Sequence, residues 1–453
     1  MTVLVDAVYL LLGLAYLPIA VYNALVLGKN RRGWSERLGC VPRRDAGKRI
    51  WIHAVSLGEI NATSKLSAAL RERLPDHELV FSCTTDTGHA RAVQLYGASN
   101  VFRFPLDFSL VVAQVLRRVA PTMIVLVELE VWYNLVRMAR RRGIPVAVVN
   151  GRLTERSAHR FRRLGRPVRT MFADLAWVGA QDETIAARFR RLGARSERVE
   201  ITSSLKWDSA LLADRVDGDE ALAHALGLGS SRPLWVCGST GPGEEEQILE
   251  AFRKIVGPSD EGPRLCIVPR KPERFGEVAA LIERAGFKCV RRSQRPDGTR
   301  AEIGDSATII LGDTMGELRK FYSLARVIFV GRSLVLLGGS DPMEAAALRK
   351  PVIVGPHMEN FQEAVAGLQA ADAICIVSDP QALGDCVTRL LADDALAASL
   401  GARAQQLVRQ RQGATARTVE GLLRILPRDN LADGKSARAR DQNHSLRRNV
   451  RAN

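Results

Sequence analysis

The sequence predicts two α/β domains of the Rossmann type that follow one another along the chain. From Arg49 onward, short apolar runs alternate with helical periods, a pattern typical of a parallel sheet covered by helices. The pattern stops in the polar stretch 203–232, which is punctuated by glycine and serine near its end, and it restarts at Leu234. A chain of 453 residues, 46% of them apolar, is long enough for two cores of about 150–200 residues each.

An uncharged segment, Val8–Leu27, precedes the first domain. Its length of about 20 residues is what a helix needs to cross a hydrocarbon core of about 30 Å, so we predict a transmembrane helix within an N-terminal anchor of residues 1–30. Basic residues follow this segment rather than precede it, so the positive-inside rule puts the rest of the chain in the cytoplasm. A cleaved signal peptide is an alternative, and Pro18 and Asn23 allow a tilted or shallow anchor.

Ten apolar runs define the predicted strands. Those of the first domain, residues 31–205, are IWIHAV, LVFSCT, MIVLVE and VAVVNG. Those of the second domain, residues 206–427, are LWVCGS, LCIVPR, TIILG, VIFVG, PVIVG and AICIV. Neither half carries a G-x-G-x-x-G fingerprint or a P-loop, which counts against NAD and P-loop nucleotides. We expect a ligand in a cleft where the carboxyl ends of strands from both domains face each other.

The net charge of +16 indicates an anionic partner, such as a phosphorylated lipid, a membrane surface or a nucleic acid. The last residues, 428–453, are rich in Arg and Lys and almost free of apolar side chains. We predict a disordered basic tail there that contacts anionic lipid. A membrane-tethered nucleic-acid-binding protein is the alternative from this charge, although RNP-like aromatic motifs are absent from the sequence.

Cysteines and acidic residues give no sign of a metal. The seven cysteines form no C-x-x-C pair, and four of them, Cys83, Cys237, Cys266 and Cys375, sit in strand-like apolar runs. We expect buried, reduced thiols rather than disulfides or zinc ligands. No H-E-x-x-H motif or acidic cluster occurs at the expected site, so we predict a reaction that uses neither a metal nor a cofactor.

A nucleotide-sugar pocket is predicted within residues 311–361. An apolar strand, Arg326–Val330, is followed by a Gly338-Gly339 turn and a short helix that begins near Pro342. The glycines let backbone amides approach a phosphate, and the helix start adds partial positive charge. Glu344, in the first turn of that helix, is placed to reach ribose hydroxyls.

Two charged side chains at predicted strand ends are candidates for the chemistry. Glu59 follows the strand Ile50–Val55 through a turn at Gly58 and can accept the proton of a sugar hydroxyl as general base. Its alternative role is structural, as a helix-start glutamate that complements the macrodipole. Arg270 directly follows the strand Leu265–Pro269 and can make a bidentate contact with a phosphate.

Eight motifs occur in the order found in one enzyme family. They are His53-Ala-Val-Ser-Leu-Gly-Glu59, Glu128-Leu-Glu130-Val-Trp132-Tyr-Asn134, Asn150-Gly-Arg152-Leu-Thr, Ser204-Leu-Lys206-Trp-Asp208, Gly238-Ser-Thr, Pro269-Arg270-Lys-Pro-Glu-Arg274-Phe, Gly312-Asp-Thr-Met-Gly-Glu317-Leu and Gly338-Gly-Ser-Asp-Pro-Met-Glu344. By these motifs the chain resembles the 3-deoxy-D-manno-octulosonic acid (Kdo) transferases of lipopolysaccharide biosynthesis. The resemblance implies the GT-B glycosyltransferase fold, CMP-Kdo as donor, and the lipid A precursor lipid IVA as acceptor at the bacterial inner membrane.

The resemblance also implies roles for individual residues. The first domain would bind the acceptor, with Glu59 as the general base of an inverting transfer and Glu130 and Lys206 as stabilisers of the transition state. A buried ion pair that closes the domain interface is the alternative for Glu130 and Lys206. The second domain would bind the cytidine nucleotide through Pro269, Arg270, Met315, Gly316, Glu317, Asp341, Pro342, Met343 and Glu344.

Three motifs depart from the family's pattern. The family's W-P-N reads Trp132-Tyr133-Asn134, and its G-N-L-K reads Ser203-Ser204-Leu205-Lys206. The third departure lies at the predicted donor site. Where the family has G-G-H-N, this chain has Gly338-Gly339-Ser340-Asp341. Asp341 can cap the helix that follows, because Asp accepts amide hydrogen bonds at that position as Asn does. Alternatively it faces and repels the donor phosphate, which would favour a related GT-B enzyme with a different nucleotide sugar. The sequence does not indicate an oligomeric state.

Overall fold

The computed structural model describes residues 2–25, 33–228, 232–256, 262–295 and 308–427. It contains two compact units: the first is formed by the described residues up to 208 and from 413 to 427, and the second by those between 209 and 412. Each unit is built on a parallel sheet, so the predicted α/β fold with two parallel sheets is confirmed. The tail predicted over 428–453 and the end of the predicted anchor lie outside the described residues.

The sheet of unit 1 has seven parallel strands in the described part of the chain: β1 (Lys48–His53), β2 (His77–Cys83), β3 (Val101–Arg103), β4 (Met123–Val127), β5 (Val146–Gly151), β6 (Trp177–Ala180) and β7 (Val199–Ile201). Their order across the sheet is β3-β2-β1-β4-β5-β6-β7. Every residue of β4 and β5 is buried, as expected for strands covered by helices on both faces. The chain moves from β1 to β2 and β3 and then crosses to β4, so the topological switch point lies between β1 and β4.

The helices of unit 1 up to residue 208 surround this sheet. They are α1 (Thr2–Leu25), α2 (Trp34–Arg37), α3 (Leu57–Ala62), α4 (Ser64–Arg73), α5 (Asp86–Tyr96), α6 (Ser109–Val119), α7 (Tyr133–Arg141), α8 (Glu155–Arg163), α9 (Arg166–Ala173) and α10 (Glu183–Arg191). Single 3-10 turns lie at 98–100, 196–198 and 207–209. Side-chain caps fix several helix starts, because Ser56, Thr85, Thr154 and Asp182 each accept a hydrogen bond from a backbone amide of α3, α5, α8 and α10.

The N-terminal helix α1 contacts the rest of unit 1 through polar side chains near its start. Asp6 accepts hydrogen bonds from the backbone N–H of Ser109 (3.0 Å) and from the side-chain amide of Asn134 (2.8 Å). The Tyr9 hydroxyl donates to Asp107 at 3.2 Å. Within the described residues, no helix combines the length and the apolar character needed to cross a membrane. The transmembrane part of the sequence prediction is therefore unsupported.

The sheet of unit 2 also has seven parallel strands in the described residues: β8 (Leu234–Thr240), β9 (Arg264–Pro269), β10 (Lys288–Arg291), β11 (Thr308–Leu311), β12 (Val327–Val330), β13 (Val352–Val354) and β14 (Cys375–Ile376). Their order is β10-β11-β9-β8-β12-β13-β14. Successive strands are added on one side of β8 until the chain crosses to β12, which places the switch point between β8 and β12.

Eight further helices cover the sheet of unit 2 in the described ranges: α11 (Asp219–Ala225), α12 (Glu245–Ile255), α13 (Phe275–Arg284), α14 (Leu318–Leu324), α15 (Met343–Ala346), α16 (Gln362–Ala370), α17 (Pro380–Ala392) and α18 (Asp394–Arg411). Single 3-10 turns lie at 272–274, 292–294 and 359–361. On one face of the sheet, Trp235, Phe252 and Phe329 are among the buried side chains that join strands to helices in one apolar core.

The last described helix, α19 (Ala414–Ile425), belongs to unit 1, where it packs against α4 and β6. Its apolar face is buried, and Gly421 lies so close to Trp177 that an added Cβ would come within 2.3 Å of the ring. Residues 413–427, which the sequence analysis assigned to the second domain, therefore form part of the first unit. The contact is between distant parts of the chain, so helical periodicity alone gave no sign of it.

Candidate functional site

In unit 1, three side chains of the sequence motifs meet at the carboxyl ends of β1 and β4. His53 is the last residue of β1, Glu59 follows that strand, and Glu130 follows β4. His53 Nε2 lies 3.7 Å from Glu130 Oε2, and the charges of both groups act on Glu59. The structure thus brings two of the three predicted catalytic residues together at the switch point, where α/β sheets bind ligands.

Glu59 forms a capping box with Ser56 in the first turn of α3. Ser56 Oγ accepts a hydrogen bond from the Glu59 N–H at 3.3 Å. In return, the Glu59 carboxylate accepts hydrogen bonds from the Val55 N–H and from the Ser56 hydroxyl, both at 2.8 Å. The structural role that the sequence left as an alternative is therefore present. Each carboxylate oxygen accepts one of these bonds and keeps a second lone pair for another donor.

The surroundings of Glu59 favour its protonated form. Burial raises the pKa of Glu59 above its ordinary value, and the like charge of Glu130 raises it further, whereas the hydrogen bonds from Val55 and Ser56 and the charge of His53 oppose this shift. A carboxylate with a raised pKa is a stronger base than an ordinary glutamate. Glu59 thus combines free acceptor capacity with a basicity suited to proton abstraction.

Two aromatic side chains, His53 and Trp132, lie next to the Glu130 carboxylate. His53 is fully buried and stacks on Phe104 with 3.7 Å between ring centroids. Its Nδ1 lies 3.0 Å from both the carbonyl oxygen and the hydroxyl oxygen of Ser82. The other nitrogen, Nε2, faces the Glu130 carboxylate and has no hydrogen bond among the described residues. Trp132 Nε1 donates to the same Glu130 oxygen at 3.1 Å.

One hydrogen bond joins the turn that carries Lys206, the third predicted catalytic residue, to strand β5. Lys206 follows β7, which lies at the edge of the sheet. The side-chain oxygen of Asn150, in β5, accepts a hydrogen bond from the backbone N–H of Leu205 at 3.0 Å. The turn that carries Lys206 is thus tied to β5, the strand that pairs with β4. Sequence analysis placed Asn150 in a motif but assigned it no role.

Backbone strain is concentrated at the same edge of unit 1. Three non-glycine residues have a positive φ there: 60° at Glu128, 52° at Asn150 and 67° at Ser203. Left-handed conformations of such residues cost about 1–3 kcal/mol each and persist where the surrounding structure enforces them. All three lie at or just after the carboxyl ends of β4, β5 and β7, the edge that carries the candidate site.

In unit 2, the residues predicted to bind the nucleotide follow neighbouring strands at the carboxyl edge of the sheet. Arg270 comes directly after β9 and is exposed, and its side chain makes no hydrogen bond or ion pair with any described residue. Arg274, in the same motif, is instead bound to the buried Glu245 at 2.6 Å and to Glu277 at 2.8 Å. Arg270 is therefore the arginine of this motif that can bind a ligand.

A buried glutamate that the sequence analysis did not single out, Glu244, organises the loop after β12. Its side chain is 0% exposed. Its carboxylate accepts four backbone hydrogen bonds, from the N–H groups of Gly241 (3.2 Å), Arg332 (2.5 Å), Ser333 (2.8 Å) and Leu334 (3.0 Å). Burial raises the pKa of Glu244, and these four hydrogen bonds oppose the shift. In the sequence, nothing distinguishes it from the two glutamates that follow it.

The predicted glycine turn is needed for close packing. Gly338 and Gly339 both have a φ of 78°, which L side chains rarely adopt. A Cβ at Gly338 would come within 2.3 Å of the Asn360 side chain, and one at Gly339 within 2.3 Å of the Met358 sulfur. The turn that precedes α15 is thus pressed against the segment after β13, which fixes both segments at the carboxyl edge.

Asp341 directly precedes Pro342, the N-cap residue of α15, and is turned toward the helix start as in the capping arrangement that the sequence left open. Its Oδ1 accepts a hydrogen bond from the Met343 N–H at 2.9 Å, so the carboxylate is turned toward the backbone that begins α15. Ser340 is buried, and its hydroxyl donates to the Ser239 carbonyl at 3.3 Å. The helix itself spans only four residues, which leaves it a weaker dipole than the sequence analysis expected.

Glu344 is a partly buried carboxyl group close to Arg270. Burial raises the pKa of Glu344, the charge of Asp341 raises it further, and the charges of Arg319 and Arg270 oppose the shift. The carboxyl group and the exposed guanidinium therefore lie within electrostatic reach of each other. A carboxyl group can accept hydrogen bonds from ribose hydroxyls, and a guanidinium can bind the adjacent phosphate. Glu344 and Arg270 provide this combination.

The loop after β11 presents its tip to solvent. Met315 is 70% exposed, and the Cβ position of Gly316 faces open space. Glu317 is already engaged, since it accepts hydrogen bonds from Arg292 Nε (3.0 Å) and from the Thr314 hydroxyl (2.5 Å). Burial would raise the pKa of Glu317, but these bonds and the nearby Lys320 lower it overall. Of these three predicted ligand residues, Glu317 mainly shapes the loop.

No metal centre is visible in the described ranges. There, no group of three or more His, Cys, Asp or Glu side chains is arranged to hold a metal ion. Metal-independent transfer is still a prediction from the sequence.

Known proteins resemble this chain in sequence. A profile of the family described as 3-Deoxy-D-manno-octulosonic-acid transferase (kdotransferase) matches residues 32–209. A 3-deoxy-D-manno-octulosonic acid transferase of Bordetella pertussis is 36% identical over 382 residues, covering 82% of this chain and 86% of the relative. An enzyme of the same name from Haemophilus influenzae is 33% identical over 405 residues, covering 88% of this chain and 91% of the relative.

The fold also has a counterpart among solved structures. The crystal structure of a glycosyltransferase from Rickettsia africae matches with a TM-score of 0.52 and 10% sequence identity, covering 85% of this chain and 100% of that one. This likeness concerns the fold alone, and it agrees with α/β units of the GT-B type.

Proposed function

Because this chain belongs to the Kdo transferase family and is a glycosyltransferase, we propose that it transfers Kdo from CMP-Kdo to the lipid A precursor lipid IVA. In this proposal unit 1 binds the acceptor and supplies the general base, and unit 2 binds the cytidine nucleotide. The transfer inverts the configuration at the anomeric carbon. The observation that carries the proposal is the Glu59–Glu130–His53 cluster at the switch point of unit 1.

Glu59 accepts the proton of the acceptor hydroxyl. As that proton moves to the carboxylate, the acceptor oxygen bonds to the anomeric carbon of Kdo, and the bond from that carbon to the phosphate oxygen of CMP breaks. Burial and the neighbouring Glu130 raise the pKa of Glu59, so it accepts the proton more readily than an ordinary glutamate. The capping box with Ser56 holds the carboxylate in one orientation.

Glu130 and Lys206 act on the charges of the transition state. Positive charge develops on the ring of Kdo as its bond to phosphate breaks, and the carboxylate of Glu130 stabilises that charge. The ammonium group of Lys206 pairs with the carboxylate of Kdo. Two hydrogen bonds support these roles. Trp132 donates one to the Glu130 carboxylate, and the Leu205 N–H donates one to Asn150, which fixes the turn before Lys206.

Arg270 binds the phosphate of CMP, and Glu344 accepts hydrogen bonds from its ribose. The exposed guanidinium of Arg270 makes no hydrogen bond or ion pair with another described side chain, so binding a phosphate breaks no such bond. The repulsion between Asp341 and the phosphate is reduced, because one oxygen of its carboxylate accepts a backbone hydrogen bond. Calorimetry with CMP and UDP would test the donor, and equal or tighter binding of UDP would favour a different nucleotide sugar.

The general base is tested by a pair of substitutions within the capping box. Glu59→Gln keeps the shape of the side chain but cannot take up a proton, and we expect kcat with CMP-Kdo and lipid IVA to fall by about 10²–10⁴-fold while CMP binding persists. The matched control, Ser56→Ala, breaks the capping box but leaves the base. It should lower stability by about 0.5–2 kcal/mol and keep kcat within a few-fold of wild type. Equal losses of kcat in the two variants would show that Glu59 serves only its helix.

We further propose that α1 anchors the chain at the cytoplasmic face of the bacterial inner membrane. Asp6 and Tyr9 contact unit 1, whereas Leu4, Leu11 and Leu14 are more than half exposed. Exposed apolar side chains on a helix that is docked by its polar side chains suit insertion into a membrane interface. The basic residues that follow α1 and the net charge of +16 favour an anionic surface.

Substitution of the exposed leucines tests the anchor. A Leu11→Glu, Leu14→Glu double variant should lose most cosedimentation with vesicles of anionic phospholipid in high salt, because two charges would enter the membrane interface. Leu164→Glu is the control, since Leu164 is 64% exposed but directly follows α8. If the double variant still sediments like wild type, the membrane contact lies elsewhere in the chain.

A further inference from the structure

Two cysteines of unit 2, outside the proposed nucleotide site, lie side by side. Cys375 begins β14, the edge strand of the sheet, and Cys386 lies in α17. Both pack in the same apolar cluster, and each thiol shifts the pKa of the other. Arg389, one turn after Cys386 on the same helix, places Nη2 4.0 Å from the sulfur of Cys375. Two thiols and a cation thus form one cluster.

The two thiols differ in exposure and in proton affinity. Cys375 is partly exposed and Cys386 is buried in the apolar core. The interaction with Cys386 and the charge of Arg389 lower the pKa of Cys375, against the effect of burial. The same interaction, with burial, raises the pKa of Cys386. Together with the greater exposure of Cys375 and its contact with Arg389, this favours a thiolate at Cys375 over one at Cys386.

No other cysteine with a resolved shift resembles Cys375 within the described residues. Burial raises the pKa of Cys83 to about 12 and that of Cys289 to about 11, and it also raises those of Cys237 and Cys266. These four are inert thiols of the kind that the sequence analysis expected. Cys375 lies in an apolar run like three of them, so its reactivity depends on contacts that only the fold creates.

We propose that Cys375 and Cys386 are a redox-active dithiol, which a hydroperoxide oxidises to an intramolecular disulfide and a thiol reductant restores. The pair is reduced in the resting protein, in agreement with the free cysteines of the structure. Arg389 stabilises the attacking thiolate, and Cys386 waits within contact as the resolving thiol. This inference does not depend on the proposed transferase site.

The oxidation proceeds in two balanced steps. The Cys375 thiolate attacks one oxygen of hydrogen peroxide, the O–O bond breaks, and Cys375 becomes a sulfenic acid while the departing hydroxide takes up a proton and leaves as water. The sulfur of Cys386 then attacks the sulfur of Cys375, so that the S–S bond forms and the S–O bond breaks. The proton of the Cys386 thiol leaves with that hydroxide as a second water. Two thiols have lost two electrons, and the peroxide has gained them.

Order of attack follows from the cluster itself. A thiolate is the nucleophile in both peroxide reduction and disulfide exchange, and Cys375 is the thiolate on the accessible side. Cys386 is shielded from solvent and reacts only with the sulfur beside it. Strand β14 has two residues and pairs with a single strand, β13. Few backbone hydrogen bonds therefore resist the movement of Cys375 that brings the two sulfurs to bonding distance.

The test uses the full-length reduced protein and hydrogen peroxide, with thiol alkylation and peptide mass spectrometry as readout. We expect Cys375 to lose alkylation at least about ten-fold faster than Cys40, an exposed cysteine with no hydrogen bond to a cation or a second thiol among the described residues. We also expect a peptide linked through Cys375 and Cys386 to accumulate. Dithiothreitol should reverse the link. Oxidation of Cys375 no faster than that of Cys40, or the absence of the linked peptide, would overturn the proposal.

Single variants separate the roles of the three residues. In Cys386→Ser, Cys375 should accumulate as a sulfenic acid that a dimedone probe captures, and in Cys375→Ser the thiol of Cys386 should stay unreacted. Arg389→Ala should slow the oxidation of Cys375, and Arg389→Lys should restore part of the rate, whereas Cys289→Ser should change nothing. Rapid oxidation of Cys386 in Cys375→Ser would overturn the assigned order. If Cys375→Ser does not fold, the Arg389 pair still decides the outcome.

Discussion

Two buried or partly buried glutamates, Glu59 in unit 1 and Glu244 in unit 2, occupy matching places in the two sheets. Each stands beside the start of a helix, after a central strand that borders the switch point. Glu244 is completely enclosed and accepts four backbone hydrogen bonds, one for each of its usual acceptor positions. Glu59 accepts two and has a second carboxylate, Glu130, as a neighbour.

The difference shows what separates a structural carboxylate from one suited to chemistry. Burial raises the pKa in both cases, so the direction of the shift does not distinguish them. Unused acceptor capacity and a like-charged neighbour do, because they leave the group able to take up a substrate proton. We therefore expect changes in unit 2 to affect nucleotide binding and stability, and changes around Glu59 to affect the rate and its pH dependence.

The largest effect expected in unit 2 is that of Arg270→Ala on nucleotide binding. Loss of a charge-assisted contact worth about 1.5–3 kcal/mol should weaken CMP binding by roughly 10–150-fold, measured by calorimetry. Lys271→Ala is the matched control, because Lys271 is an exposed neighbour that lies 3.7 Å from Glu273. It should change affinity by less than about three-fold. An Arg270→Ala protein that binds CMP like wild type would refute the assigned donor site.

Glu244→Gln should act on stability rather than on the chemical step. The amide nitrogen of glutamine cannot accept hydrogen bonds, so buried backbone donors lose their partner at a cost of about 1–3 kcal/mol, measured by urea unfolding. Glu246→Gln, in the same acidic run but exposed, should change the free energy of unfolding by less than about 0.5 kcal/mol. Equal stability of the two variants would contradict the structural role of Glu244.

The smallest effect is expected for Asp341→Asn. Asparagine also accepts backbone hydrogen bonds at a helix start, so the contact with Met343 persists and CMP affinity should change by less than about two-fold. Calorimetry measures this directly. A gain in affinity of about five-fold or more would mean that the carboxylate of Asp341 faces the donor phosphate after all.

Much of the fold was predictable because its central strands are buried on both faces. Strands such as β4 and β12 are continuous apolar runs that need no partner to be recognised. The unpredicted strands include β3, β7 and β10, which are edge strands of only three or four residues. A strand with one neighbour and one open side carries mixed polarity, so its sequence resembles a loop.

The site was predictable where a residue's role follows from its place after a strand, as for Glu59 and Arg270. It was not predictable where the role depends on a contact between distant segments. Glu244 binds the loop that begins at Arg332, and Asn150 fixes the turn at Leu205. The return of α19 to unit 1 is a similar case. Only the packed chain reveals such partners.

The pH dependence of kcat tests the central claim most directly, namely that Glu59 is the general base. The carboxylate is the active form, so kcat must fall as the pH drops through the raised pKa of Glu59. Glu130→Gln removes the like charge that raises this pKa, and we predict that the acid limb of the profile moves to lower pH. The control Glu128→Gln, in the same loop, should leave the limb in place. An acid limb that does not move, or moves to higher pH, in Glu130→Gln would show that a group other than Glu59 accepts the proton.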